Sequence, residues 1–341
     1  MVLNDLRELI LGNRAKIVVF VVILVLVVSI ILITEKGQKP QTNPEEGGQE
    51  EQFPEGSQPL PTNIDLSKVT NLTKEIPQDL ITYKISSSQT PLSEEEVLTL
   101  AKTLGFKSTW TSKGNIELGT RYIFVQKGKN LIIQTNPPTI TFSTDSSLPK
   151  GTIPTEEQTI AKGKAFLAQI GVTTLVPLPR SYRLLTVNGD LFFATQNPAS
   201  AKLVCITFAP EKDGFSIIGD TPATFSATLF FDTTKTIISL QYYKTNFQFE
   251  PRSAAELKSL DTALSDLKSG KGMVVGAEPF NELSPDSNPN VLSSFSPTSV
   301  YLAYYLNKSS VLTPVYVFEG IGILKSGSEK VIATVHLPAT K

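Results

Sequence analysis

Apolar residues are spaced along this chain in three different ways, and each spacing predicts a different kind of element. The first is unbroken. From Ile17 to Ile33 the sequence reads IVVFVVILVLVVSIILI, without a charge and with Ser29 as its one polar residue. As a helix this run spans about 25 Å at ~1.5 Å per residue, close to a ~30 Å hydrocarbon core. Ala15 and Thr34 extend it, and Lys16 and Lys36 can reach the interfaces. It outruns a signal-peptide core and ends in Ile-Leu-Ile-Thr-Glu-Lys, with neither a small-x-small site nor a lipobox cysteine. The pattern predicts an uncleaved transmembrane helix over residues 17–34. Arg7, Arg14 and Lys16 precede it and Lys36 and Lys39 follow it, a bias toward a cytoplasmic N-terminus at 1–16 and an extracytoplasmic body.

The second spacing is helical. Pro91-Leu92-Ser93-Glu94-Glu95-Glu96 carries a capping box, Ser93 with Glu96, followed by Val97, Leu100, Ala101 and Leu104 on one face and a stop at Gly105. Thr155 and Gln158 repeat the box before Ile160, Leu167 and Ile170, with Gly171 after them. Ser253 and Glu256 make a third before Leu257, Leu260, Leu264 and Leu267, with Gly270 after them. Three helices are predicted from these agreeing start, period and stop signals.

The third spacing is strand-like. Segments rich in Thr, Val, Ile and aromatic residues occur at 121–126, 131–135 and 139–143 after the first helix. After the second they occur at 182–187, 191–195, 202–208, 215–218, 225–231 and 236–243, with a turn at Asp232 to Lys235. After the third they occur at 299–306, 315–323 and 330–337. Helix starts recur after 62 residues (Ser93 to Thr155) and after 98 (Thr155 to Ser253). The expected fold is therefore α+β: a single transmembrane helix, a flexible tether, then helix-plus-antiparallel-meander units at 64–150, 151–250 (enlarged) and 251–341, the third packed with the second.

Charge sharpens the division. The formal net charge is -1, which gives no electrostatic case for nucleic-acid binding. That near-neutrality is a sum of unlike parts: +1 over residues 1–34, -4 over 35–63 and +2 over the rest. Residues 35–63 carry six acidic side chains among Pro, Gly and Gln, and read as an extended linker without a core of its own.

With one Cys and one His, the chain cannot form an internal disulfide or an ordinary Cys/His zinc site. Cys205 reads as a small buried hydrophobe within KLVCITF. His336 shares a strand face with Ile332 and Thr334 and is expected at the surface. Ser265 and Lys268 fit an S-x-x-K spacing without the companion motifs of Ser-Lys enzymes. Asp286-Ser287-Asn288-Pro289-Asn290 lacks the Gly and distal Glu of a calcium loop. No catalytic, cofactor-binding or metal-ligating residue is assigned, and no cofactor is expected.

An anchor, a polar tether and Ser/Thr-Glu-Glu helices ending in Gly before strands resemble PepSY-type domains, especially the YycH/YycI type of membrane-anchored kinase regulator. Two stretches carry the resemblance: residues 201–243, AKLVCITFAPEKDGFSIIGDTPATFSATLFFDTTKTIISLQYY, and the pair YLAYY (301–305) and TPVYVFEG (313–320). It extends over about 93–337 and implies a non-enzymatic partner or inhibitor of a membrane sensor kinase or protease.

In TPVYVFEG, Pro314, Tyr316 and Phe318 face one way and Val315, Val317 and Glu319 the other, while Gly320 and Gly322 mark a bulge or close approach. Tyr301, Tyr304, Tyr305, Tyr316, Phe318 and Glu319 are thus either core aromatics with one carboxylate needing a partner, or an interaction surface. Two function classes follow. One is a single-pass membrane protein whose extracytoplasmic body binds a protein partner at the membrane. The other is an envelope hydrolase, which requires two carboxylates, or Ser265 with Lys268, to converge in a water-restricted cleft.

Overall fold

The computed structural model describes residues 57–341 except 74, 89, 108, 117–118, 145–150, 189–190, 220–225, 282–290 and 326. The expected transmembrane helix, the N-terminus at 1–16, most of the acidic linker and the Asp286–Asn290 loop lie outside these residues. Among the described residues no helix is long and apolar enough to cross a membrane.

The chain opens with three two-residue strands, β1 (Gln58–Pro59), β2 (Asn63–Ile64) and β3 (Thr70–Asn71), then β4 (Asp79–Ser88) and helix α1 (Glu94–Thr103). A meander follows: β5 (Ser112–Ile116), β6 (Gly119–Gln126), β7 (Lys129–Thr135) and β8 (Pro138–Thr144). Helix α2 (Glu156–Gln169) leads to β9 (Val176–Pro177), β10 (Arg183–Asn188), β11 (Leu191–Thr195) and β12 (Leu203–Ala209). Next come β13 (Glu211–Lys212), β14 (Phe215–Ile218), β15 (Ala227–Asp232), β16 (Ile237–Tyr243) and β17 (Asn246–Glu256). Helix α3 (Leu260–Lys268) precedes β18 (Met273–Pro279), β19 (Leu292–Leu306), β20 (Val311–Leu324) and β21 (Lys330–Pro338).

These elements correct the expected fold class. The protein is mostly β-sheet, with three helices among the described residues, and its strands form two large sheets instead of three sequential α+β units. The first sheet runs β1-β18-β21-β20-β19-β14-β13, with β2 and β3 also on β19 and the β4–β17 ribbon attached through β20. The second runs β11-β10-β12-β15-β16-β8-β7-β6-β5, with β9 on β12. The first sheet therefore draws strands from both ends of the described chain and β13 and β14 from its middle, and the second is built from β5–β12, β15 and β16. Alternation along a strand reports which face is buried, not which strand lies alongside. The β4–β17 pairing, for example, joins Asp79 to Glu256 and Asn246 to Ser88.

Both predicted capping boxes of α1 and α2 form, Ser93 with Glu96 and Thr155 with Gln158. These helices bury Val97, Ala101 and Leu167 against one face of the second sheet, with Phe124, Leu131, Phe208 and Leu229. A side chain on Gly163 of α2 would meet the Phe208 ring at 2.7 Å, so glycine sets how closely α2 lies on the sheet. The third helix starts later than its sequence signal. Ser253 and Glu256 lie in β17, where Ala254 and Glu256 pair with Ile81 and Asp79, and the N-cap of α3 is Ser259, accepting from the Thr262 amide. Cross-strand pairing outweighs a local cap worth about 1 kcal/mol.

A further boundary moves. Gln58 and Pro59 pair with Val274 and Met273, and Leu60 packs on the first sheet's core, so residues read as linker already belong to the folded body. On β19, β2, β3 and β14 pair in succession at Ser294, Ser299 and Tyr304. Three fragments thus cover the edge that β20 leaves free.

Candidate functional site

TPVYVFEG lies in β20, the central long strand of the first sheet, with β19 and β21 beside it. Its two faces divide as the alternation predicts. Tyr316 and Phe318 join Val300, Leu302 and Tyr304 in the core beneath α3. Val315 and Val317 pack on the opposite face with Tyr301, Ala303, Tyr305 and Leu178. Tyr304 and Tyr316 donate their hydroxyls to Ile81 O at 2.8 Å and Lys258 O at 2.6 Å. Tyr301, Tyr304, Tyr305, Tyr316 and Phe318 are all buried. The tyrosine-rich strands are thus sheet core, the first of the two readings their alternation allows.

Glu319, the carboxylate that lacked a partner in the sequence, finds one on the other sheet. Arg183 on β10 reaches Glu319 Oε2 with Nη2 at 2.5 Å and Glu278 Oε2 with Nε at 3.0 Å. Among the described residues these are the ion pairs that join the two sheets. Arg183 and Glu319 are nearly enclosed, while Glu278 is half exposed. Burial pushes the Glu319 carboxyl above its ordinary range, against the pull of Arg183. Arg183 also donates to Arg180 O, in a loop where Arg180 has the left-handed φ of 59°. No motif in the sequence marks Arg183. Its signal was an arginine sharing a strand face with Leu185 and Val187.

Cys205 pairs across the ladder with Arg183, is partly buried, and has its thiol pushed up to about 12 by burial. That argues against a reactive thiolate. His336 departs from expectation: it is buried, its ring meets Tyr305 at 5.7 Å, and Nδ1 has no hydrogen-bond partner. Its apparently polar strand face lies under the same cover as Val317, its neighbour in the ladder. Both faces of the sheet are enclosed at this point, which period-2 reading of one strand cannot show. Ser265 and Lys268 are both exposed on α3.

A concavity lies elsewhere, between α1, the β16–β17 connection, the loop after α2 and β13. It has a volume of about 820 Å³. Leu92, Leu100, Ile140, Ile170, Phe247 and Phe249 provide apolar surface, while Glu95, Glu96, Glu211 and Lys244 provide charge. Two of its walls are fixed by contacts, one within the lining and one behind it. Glu96 is held by the Ser93 amide at 2.8 Å. Phe249 stacks edge-on to Tyr83 at 5.8 Å, with the Lys212 ammonium 5.5 Å from its ring, and Tyr83 donates to Asp213 at 2.6 Å. The groove draws on both sheets, so no local motif announces it. Clefts of this size and mostly apolar lining are where proteins hold ligands and peptides.

No protein-family model matches the chain, and no curated protein sequence does. A solved structure, the Bacillus megaterium YpeB C-terminal domain, is similar in part at 14% identity and a TM-score of 0.39. The match covers 71% of this chain and 98% of that one. A likeness at that score carries no argument about function.

Proposed function

We propose that this protein is a non-catalytic interaction body, held outside the cytoplasm by the apolar run at 17–34, that binds a protein partner at the membrane surface. The observation that carries the reading is the groove at the junction of the sheets: apolar, charged at its margin and braced behind the Phe249 wall by Tyr83. Two further placements support it over the hydrolase. Ser265 and Lys268 face solvent, and Arg183 stands between Glu278 and Glu319, so the two carboxylates neutralise a guanidinium. The resemblance to PepSY-type regulators gives a membrane sensor kinase or protease as the class of partner, and residues 35–63 supply the spacer between bilayer and body.

Crosslinking in native membranes followed by isolation of the full chain tests this. A specific membrane protein recovered in stoichiometric amount is the expected result, and recovery of the chain alone as a monomer overturns it. Deleting residues 1–34 should move the protein from the membrane fraction to the soluble one.

A further inference from the structure

We propose that the groove between α1 and β17 takes a basic, apolar-studded segment of the partner protein. This rests on the interaction reading above and names the surface and the chemistry it selects. Charge chooses the occupant. Glu95, Glu96 and Glu211 line the groove against Lys244 alone, a surplus of two negative charges on walls that come from both sheets. Among the described residues neither Glu95 nor Glu211 is in an ion pair, and both are exposed. They are free to meet incoming cations.

The same sign argues against the competing occupants. Residues 35–63, at -4, would be repelled, as would nucleic acid or an anionic lipid surface. Apolar side chains on the occupant are required by the other half of the lining. Leu100, Phe247 and Phe249 are only partly buried, and their remaining surface faces the groove. Because Phe249 is clamped by Tyr83 and Lys212, that wall is set before anything binds, which lowers the ordering cost of association.

The test uses the full chain in detergent and three fluorescein-labelled dodecapeptides, one alternating Lys and Leu, one Glu and Leu, one Lys and Ser. Anisotropy should show the Lys/Leu peptide binding at least ten-fold more tightly than either other, and weakening as salt rises. The double variant Glu95→Lys/Glu211→Lys should cost ten-fold or more. Thr99→Trp, an exposed helical position lining the groove, should block it sterically without touching the core. Glu157→Lys, on the exposed face of α2, should change nothing. Equal binding of the Glu/Leu peptide, or binding indifferent to both groove variants, overturns the proposal. Native-membrane crosslinking separates the two claims: a partner captured undiminished by Thr99→Trp leaves the interaction body standing and removes the groove from it.

Discussion

His336 illustrates how much a single residue depends on what covers it. Enclosed with Tyr305 and lacking a partner for Nδ1, it is held neutral, and burial lowers its pKa to about 3 from an ordinary 6.5. The unfolded chain therefore takes up a proton below pH 6.5 that the folded chain refuses. Stability is lost as pH falls through that window, by up to ~1.4 kcal/mol per pH unit. His336→Leu should abolish this component. Urea unfolding at pH 7, 5.5 and 4.5 should show the variant gaining on the wild type at each step, and a constant difference would place the imidazole in contact with water. Gly320 was more legible. Its position after the Pro-Val-Tyr-x-Phe strand suggested a close approach, and a Cβ there would meet Ser296 O at 2.1 Å, beside the bulge between Pro297 and Ser299.

At the scale of the element, helix α3 separates a cap that forms from one that could have. Both Ser253 and Ser259 are followed by plausible first turns, but the Ser253 segment is taken by β4. Ser259→Ala should cost about 1 kcal/mol, the usual worth of an N-cap. Ser253→Ala, at an exposed position in β17, should stay within ~0.5 kcal/mol. Thermal unfolding of the two variants measures this directly, and equal losses would contradict the assigned helix start. Elements whose stabilisation is local were read well from sequence: α1 and α2 with their boxes, and the hairpin at Asp232, whose carboxylate accepts from the Thr234 and Thr236 amides. Those that depend on a remote partner were misread or missed. β4 buries Leu80, Tyr83 and Ile85 in the first sheet's core and β17 keeps most of its residues exposed, and each strand is held by pairing with the other across more than 150 residues of sequence.

Across the whole molecule, Arg183 ties the second sheet to the first, and its removal should be felt as a change in how the sheets hold together. Arg183→Met leaves Glu319 buried without its cation, a loss of about 3–5 kcal/mol at neutral pH. The sign with pH is opposite to that of His336. Burial already holds the Glu319 pKa above its unfolded value, and losing Arg183 raises it further, so the folded variant binds a proton more readily than the unfolded chain. The gap to wild type should shrink as pH falls through that pKa, measured by denaturation of both proteins at pH 8, 6.5 and 5. A gap that widens on acidification would mean that Glu319 is not the buried partner.

The sequence by itself determined what local chemistry and periodicity can specify: the apolar run, the acidic spacer, two capped helices, most strand positions and the two faces of TPVYVFEG. Tertiary structure alone decided which strands share a sheet, whether Ser253 caps a helix, that His336 is covered, that Glu319 meets Arg183, and that α1 and β17 enclose a groove. The division has one physical cause. Burial pattern and capping are encoded within a few residues of one another. Pairing partners and the joining of two sheets are set by surfaces brought together from opposite ends of the chain.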